Sequence, residues 1–173
     1  PMERELEKPT RLPVELPAVW RVYVDEARQC RPTDFEKPVP ERMKRGVEST
    51  LCDWAQLGLG DFSGVVNYET AFELPERAGR LSVKLGEVRY MAKISIDSGA
   101  EQSLFWGPYR AEFRNVPAGW HTLRVRVGNL LINQLRSAAE SGRGRWHRWA
   151  PSEEDYRSGL FGPVVLEYEK GEK

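Results

Sequence analysis

The stretch GVVNYETAF, residues 64–72, decides the fold of this chain because apolar and polar residues alternate along it. From Val66 to Phe72 every second residue falls on one face, whereas Asn67 and Glu69 fall on the opposite face. Alternation with a period of two residues indicates a β-strand that has one face on a core and the other in water. The stretch therefore predicts a strand at the surface of a β-sheet protein.

Other stretches predict strands in the same way. They are WRVYV at 20–24, LSVKL at 81–85, AKISID at 92–97, LRVRV at 123–127 and VVLEY at 164–168. Turn residues lie between several of them, at 74–76, 97–99 and 117–119. Helical periodicity is nowhere sustained, and its best candidate is a short turn near residues 133–139. Short strands separated by turns predict an all-β, antiparallel β-sandwich.

Length and proline content predict how the chain is divided. A chain of 173 residues fits one domain. Residues 1–19 carry four prolines and are predicted to be a linker or an extended N-terminal segment. Residues 20–170 are predicted to be a single β-sandwich module with long loops at 25–50 and 136–157.

Composition narrows the possible partners. The 26 basic residues balance the 26 acidic residues, so no net field attracts nucleic acid or an anionic membrane. No apolar run reaches the ~20 residues that a membrane-spanning helix needs. The N-terminal PMERELEKPT predicts no signal peptide, and the start at Pro1 suggests a processed or excised piece. We expect neither a nucleic-acid nor a membrane partner.

Several of these stretches, taken in order, resemble a known kind of module. They are FSGVVNYETAFELP (62–75), LGEVRYMAKISID (85–97), LFWGPYRAEF (104–113), PAGWHTLRVRVGNLLINQL (117–135) and SGLFGPVVLEY (158–168). Together they resemble the galactose-binding-like jelly roll of glycoside hydrolases. The likeness is to the N-terminal sugar-binding domain of family 2 β-galactosidases and β-glucuronidases, and more closely to the C-terminal module of family 106 α-L-rhamnosidases.

The resemblance extends from Trp54 to Tyr168 and has two departures. Where such modules usually carry an Asn-Gly turn, this chain has Asp-Ser-Gly-Ala at 97–100, and residues 136–157 match no counterpart. The resemblance implies a non-catalytic carbohydrate-binding accessory module of a rhamnosidase- or galactosidase-like enzyme. The alternative is a structural or docking sandwich that supports a catalytic domain and binds no sugar.

An enzyme built on this chain alone is the weakest hypothesis. Glycoside hydrolysis requires two carboxylates at a defined separation. In the families resembled, these lie on a (β/α)₈ barrel of roughly 250 residues, which is longer than this chain. We therefore expect the chain alone to be inert and its parent to be a glycoside hydrolase.

Loop residues that could contact carbohydrate are aromatic, basic or amide side chains, since aromatic faces attract the C–H faces of sugar rings. The candidates are Trp106, Tyr109, Arg110, Asn129, Asn133, Arg136, Trp146 and Trp149. Trp106 and Tyr109 could instead cap the core. Asn129, Asn133 and Arg136 could hold their own loop or, as the resemblance implies, approach the neighbouring catalytic domain.

The two last tryptophans belong to GRGRWHRWAPSEED at 142–155, where basic and aromatic residues alternate. Such a pattern could stack on single-stranded nucleic acid, but neutral overall charge and the adjacent acidic run oppose this. A carbohydrate-facing or domain-docking loop is the stronger interpretation, beside that of a self-packed loop. Exposed, coplanar rings next to Arg or Asn would favour sugar binding, and buried rings a structural role.

We expect no cofactor, although a structural calcium held by backbone carbonyls stays open. The two histidines, His121 and His147, form no recognisable metal motif. The two cysteines, Cys30 and Cys52, are either bridged or both reduced. The expected partner is carbohydrate or the neighbouring catalytic domain of the parent enzyme.

Overall fold

Two antiparallel sheets share one core in the computed structural model, which describes residues 10–25, 38–140 and 156–171. Strands are numbered in chain order. The larger sheet has the order β3 (Val47–Ser49), β2 (Trp20–Tyr23), β4 (Val65–Leu74), β10 (Gly119–Gly128), β7 (Met91–Ile96) and β8 (Gln102–Leu104). The smaller sheet has the order β1 (Leu12–Val14), β12 (Val165–Lys170), β5 (Ala78–Lys84) and β9 (Arg110–Val116). The predicted all-β sandwich is confirmed.

A small sheet and short helices complete the described fold. A two-stranded sheet pairs β11 (Gly159–Gly162) with β6 (Glu87–Arg89). The helices are α1 (Glu41–Arg45), α2 (Ile132–Glu140) and a single 3₁₀ turn at Trp54–Leu57. None of the helices in these residues is long and apolar enough to cross a bilayer.

The predicted alternation matches the burial along β4 except at Asn67, which was predicted to face water and is buried. Val66 and Phe72 are buried in the core, and β4 pairs with β10 from Val65 opposite Gly128 to Leu74 opposite Gly119. The opposite face carries Glu69, which is only partly buried. Burying apolar side chains at alternate positions of both sheets supplies most of the driving force for this fold.

A hydrogen-bonded pair of aromatic side chains lies inside the core. The indole Nε1 of Trp54 donates to the hydroxyl oxygen of Tyr68 at 2.7 Å, and both residues are buried. Burial raises the pKa of Tyr68, so this hydroxyl stays neutral. The same oxygen accepts from the backbone N–H of Leu160 at 3.4 Å. The pair therefore connects the 3₁₀ turn, β4 and β11.

The described part of the predicted loop at 25–50 contains structure that the sequence pattern did not indicate. Met43 of α1 is buried, and its carbonyl oxygen accepts from the backbone N–H of Val24 at 2.8 Å. β3 extends the larger sheet at its edge. A helix of five residues is too short to show periodicity. In the N-terminal segment, Leu12–Val14 likewise form an edge strand against β12.

Candidate functional site

Strand register brings several connections to one end of the sandwich. Gly128, the last residue of β10, lies opposite Met91, the first residue of β7. Ala92, the next residue of β7, pairs with Leu104, the last residue of β8. The connections that follow β8 and β10 therefore start at the same end of the sheet, on two strands that flank β7 and lie about 10 Å apart.

Large apolar side chains are exposed at this end. They are Met91, Phe105, Trp106, Leu130 and Leu131, and together we call them the apolar end. Trp106 is 77% exposed. Its ring centroid lies 6.2 Å from that of Phe105, with 42° between the planes. Exposed large apolar side chains gathered at one end of a domain are typical of an interaction surface.

The predicted residues Trp106 and Tyr109 have different environments. Tyr109 is half-buried against the core, and its hydroxyl donates to the carbonyl oxygen of Tyr90. Burial raises the pKa of the Tyr109 hydroxyl. Arg110 donates from Nη2 to Glu112 Oε1 at 2.6 Å. Of the two aromatic residues, Trp106 therefore presents its ring to solvent while Tyr109 packs against the core.

Asn129 bonds to the chain around it. Its Oδ1 accepts from the backbone N–H of Gly64 at 2.9 Å. Its Nδ2 donates to the carbonyl oxygen of Phe62 at 2.8 Å and to Ser158 Oγ at 3.0 Å. These contacts fit the interpretation in which the side chain holds its own loop.

Asn133 is 1% exposed and bonds in a similar way. Its Nδ2 lies 2.9 Å from the carbonyl oxygens of Gly60 and Tyr156 and 3.3 Å from Ser158 Oγ. Within the described part of the chain, its Oδ1 is buried without a hydrogen-bond partner. Arg136, on the same helix, pairs with Glu140 at 2.9 Å and covers the Tyr156 ring at 4.6 Å. Asn133 thus fastens α2 to two other segments.

Some of the predicted residues lie outside the part of the chain that the structure describes. Trp146 and Trp149 lie in the segment that the structure does not describe, and so does Cys30. Cys52 forms no disulfide with any residue that the structure describes. Among residues 10–25, 38–140 and 156–171, no three His, Cys, Asp or Glu side chains are grouped as a metal ion would require.

A second candidate site lies on the outward face of the larger sheet. It is a concave cavity of about 380 Å³. We call it the polar basin and define it by six of its lining residues, which are Tyr23, Glu69, Asp97, Glu101, Arg124 and Arg126. They come from β2, β4 and β10 and from the turn between β7 and β8.

Ion pairs hold the basin side chains in place. Glu69 Oε1 accepts from Arg124 Nε at 3.0 Å and from the Tyr23 hydroxyl at 3.0 Å. Arg126 Nη1 donates to both Glu101 oxygens, at 2.9 and 3.2 Å. Burial, followed by the contact with Glu69, raises the pKa of Tyr23, so its hydroxyl remains a donor.

His121 supports the rim of the basin through Asp97. The ring is buried, with Nδ1 2.8 Å from Asp97 Oδ2 and Nε2 2.9 Å from the carbonyl oxygen of Pro117. An ionised carboxylate only accepts, so Nδ1 is the donor in the contact with Asp97. Asp97 Oδ1 also accepts from the backbone N–H of Thr122 at 2.8 Å.

These contacts give Asp97 a predicted effect on stability. Burial alone would raise its pKa, but the hydrogen bonds from His121 and Thr122 lower it below the ordinary 3.8. A lowered folded-state pKa adds stability above the unfolded value, and this stability is lost as the pH falls through the folded value. We expect Asp97→Asn to flatten the fall in melting temperature between about pH 5 and pH 2.

Thermal melts followed by circular dichroism measure this effect. Glu48→Gln, an exposed change on edge strand β3, is the matched control and should keep the wild-type slope. Equal acid slopes for Asp97→Asn and wild type would mean that the contact with His121 does not stabilise the fold.

The fold is that of a β-domain of the kind found within large glycoside hydrolases. Among solved structures, a rhamnosidase from Novosphingobium sp. PP1Y is 25% identical with a TM-score of 0.69. The match covers 95% of this chain and 16% of that one. A family 2 beta-galacturonidase from Eisenbergiella tayi is 17% identical with a TM-score of 0.58, over 99% and 27% of the two chains.

Sequence comparison finds a similar kind of relative. A Formosa agariphila protein named "Putative beta-glucuronidase" is 24% identical over an alignment of 143 positions, and the match covers 63% of this chain and 12% of that protein. No protein-family model matches the sequence. The chain therefore spans only a small part of the proteins that it resembles.

Sequence reasoning missed most of the apolar end and the whole polar basin. Leu130 and Leu131 were visible as adjacent leucines after a predicted strand. Glu69, Arg124 and Arg126 were already assigned to outward faces by alternation. Their gathering depends on strand order and register, which alternation does not determine.

Proposed function

We propose that this chain is a galactose-binding-like jelly-roll module, a non-catalytic accessory domain of a glycoside hydrolase that packs by its apolar end against the rest of its parent chain. The apolar end carries this proposal. Five large apolar side chains project from one end of a protein that buries most others. Burying each would stabilise a complex by about 1.5–3 kcal/mol.

The size of the relatives supports another segment of the same parent chain as the occupant of this surface. This chain matches 12% of the Formosa agariphila protein and 16% of the rhamnosidase, so most of each relative lies outside the matched part. A domain within a longer chain meets its neighbours at an interface of roughly 600–1,500 Å². Another segment of the same parent is therefore the partner that we propose.

Carbohydrate binding at this end is the second candidate, and the exposed Trp106 ring favours it. Such a ring could stack on a sugar. The neighbouring polar side chains give less support, because Asn129 and Asn133 bond within the protein and Arg110 pairs with Glu112. The Trp106 and Phe105 rings are also tilted by 42° rather than coplanar.

Docking can be tested in the longer parent chain with Trp106→Ser combined with Leu131→Ser. Removing two apolar contacts should weaken the interface by about 3–6 kcal/mol. We expect scanning calorimetry to show the module melting separately from the remainder, and limited proteolysis to release it as a stable fragment. The isolated 173-residue chain with the same changes should keep its wild-type melting temperature.

Trp120→Ser is the matched control for docking. Trp120 is 71% exposed but lies at the opposite end of the sandwich, where β10 begins. Trp120→Ser should leave the calorimetric transitions and the proteolysis pattern of the parent chain unchanged. Unchanged transitions in the double variant would contradict docking, and loss of glycan binding by isolated Trp106→Ser would favour the second candidate.

A further inference from the structure

We propose that a hollow beside Trp120, at the end of the sandwich opposite the apolar end, binds an arginine-bearing polypeptide segment of another protein. The hollow has a volume of about 500 Å³. We call it the tryptophan hollow and define it by six of its lining residues, which are Pro13, Glu15, Pro17, Glu73, Pro75 and Trp120. Because the partner is a separate protein, this binding is independent of docking within the parent chain.

Strand register places Trp120 and Glu73 side by side. Trp120 of β10 lies directly opposite Glu73 of β4, and the next pair along the two strands, His121 and Phe72, is buried. Trp120 and Glu73 therefore both point outward from the larger sheet, with Cβ atoms about 4.5–5.5 Å apart. The Trp120 ring is exposed. A cation that stacks on this indole would lie within reach of the Glu73 carboxylate.

The carboxylates of the tryptophan hollow are not neutralised by the described part of the chain. Glu15 and Glu73 are both exposed, and within that part neither side chain forms a hydrogen bond or an ion pair. The side chains that line the hollow include no lysine or arginine. Arg124, two outward positions along β10 from Trp120, bonds to Glu69 at 3.0 Å instead. The hollow therefore carries two negative charges that attract a cation.

Prolines make the hollow rigid and limit how a partner can bind. Pro13, Pro17 and Pro75 have a restricted φ and no backbone N–H. Pro13 lies in edge strand β1, where proline opposes pairing with the strand of another chain. The fixed backbone lowers the entropic cost of binding. Recognition in the hollow is therefore by side chains rather than by an added strand.

An arginine side chain matches this set of groups. Its planar guanidinium stacks on an aromatic face while its N–H groups bond to a carboxylate beside the ring. Its methylene stem packs on apolar surface, which the prolines and Ala71 supply here. Val19, two residues beyond Pro17, is also exposed and offers apolar contact to the residues next to the arginine. This apolar surround favours a polypeptide segment over a free small cation.

Peptide arrays probed with the 173-residue chain test this binding. The probes are heptapeptides with a fixed central arginine between leucine, valine, proline and phenylalanine, and a matched set has glutamine at the centre. We expect arginine peptides to retain the chain and their glutamine counterparts to lose it. In calorimetric titrations with the best peptide, Trp120→Ala should weaken binding about fivefold, as loss of an exposed cation–π contact does. Glu73→Gln should weaken it about threefold, as loss of an exposed ion pair does.

Trp106→Ala and Glu48→Gln are the matched controls, since they remove an exposed tryptophan and an exposed carboxylate elsewhere, and both should leave the peptide affinity unchanged. Absence of retention by every arginine peptide would overturn the inference, and so would equal retention by the glutamine set or an affinity that Trp120→Ala leaves unchanged. Sedimentation that shows self-association lost in Trp120→Ala would assign the hollow to a second copy of the chain. Binding of a neutral oligosaccharide lost in the same variant would assign it to carbohydrate, and either result would also overturn the inference.

Discussion

Replacing Gly86 by alanine is expected to destabilise the native fold by more than about 4 kcal/mol. Gly86 has a φ of +64°, and an added Cβ would lie 2.4 Å from both the carbonyl carbon and the oxygen of Gly162. It would also lie 2.8 Å from the nitrogen of Pro163. These are backbone atoms, so no side-chain rotation relieves the clash.

The local structure explains why the backbone cannot easily move. Gly86 and Gly162 form an isolated parallel bridge where β5 leads into β6 and β11 leads toward β12. Separating them would disturb the two-stranded sheet and the start of β12 together. We expect the soluble yield of Gly86→Ala to fall sharply, and any folded fraction to unfold at much lower urea concentration.

Gly119→Ala is the matched control for this prediction. Gly119 also has positive φ, +118°, but nothing lies within 4 Å of its added Cβ. The free energy of unfolding of Gly119→Ala should fall only by the cost of placing alanine at positive φ, about 1–3 kcal/mol. If urea unfolding gives the two variants equal losses, the close contact between Gly86 and Gly162 does not exist in solution.

Strand identity could be predicted because it depends on local pattern. A strand with one buried face must alternate, so Val66, Phe72, Leu123 and Val125 showed in the sequence which side they would bury. The structure buries all four. The same reasoning could not find α1, because its contribution to the core is the single side chain of Met43.

Strand order could not be predicted in this way. β10 lies between β4 and β7, and β12 lies between β1 and β5, so the neighbours are distant along the chain. The apolar end and the polar basin both depend on these pairings. Local alternation says that Glu69 and Arg124 point outward, but only the register places them in adjacent positions across two strands.

The two predicted aromatic residues show that residue type alone does not determine whether a side chain is buried or exposed. Trp106 and Tyr109 are three residues apart and equally suited to a core or a binding surface. Tyr109 directly precedes β9 and turns toward the core, where the Tyr90 carbonyl satisfies its hydroxyl. Trp106 stays in the loop, where no strand directs its ring inward.

Asn133→Asp is the second change with a large expected effect, a loss of about 3–5 kcal/mol at pH 7, typical of an uncompensated buried charge. The change keeps the shape of the side chain but replaces an NH₂ donor by oxygen. That oxygen would face the carbonyl oxygens of Gly60 and Tyr156, each 2.9 Å from the present Nδ2. Two acceptors in contact repel, and the site is almost fully buried.

The pH dependence of this variant distinguishes its mechanism. Burial beside carbonyl oxygens would raise the folded-state pKa of the new carboxyl above its unfolded value. A raised pKa means that the folded state holds its proton more tightly, so the penalty is present at high pH and shrinks as the pH falls through the raised value. We therefore expect Asn133→Asp to recover stability between pH 7 and about pH 5, relative to wild type.

Asn115→Asp is the matched control because Asn115 is exposed and its Oδ1 only accepts, from Arg77 Nη2 at 3.2 Å. A carboxylate accepts equally well, so the free energy of unfolding should stay within about 0.5 kcal/mol of wild type. Urea titrations at pH 5, 6 and 7 measure both variants. A small loss for Asn133→Asp at pH 7, with no recovery on acidification, would show that its amide does not fasten α2 to the chain around Gly60 and Tyr156.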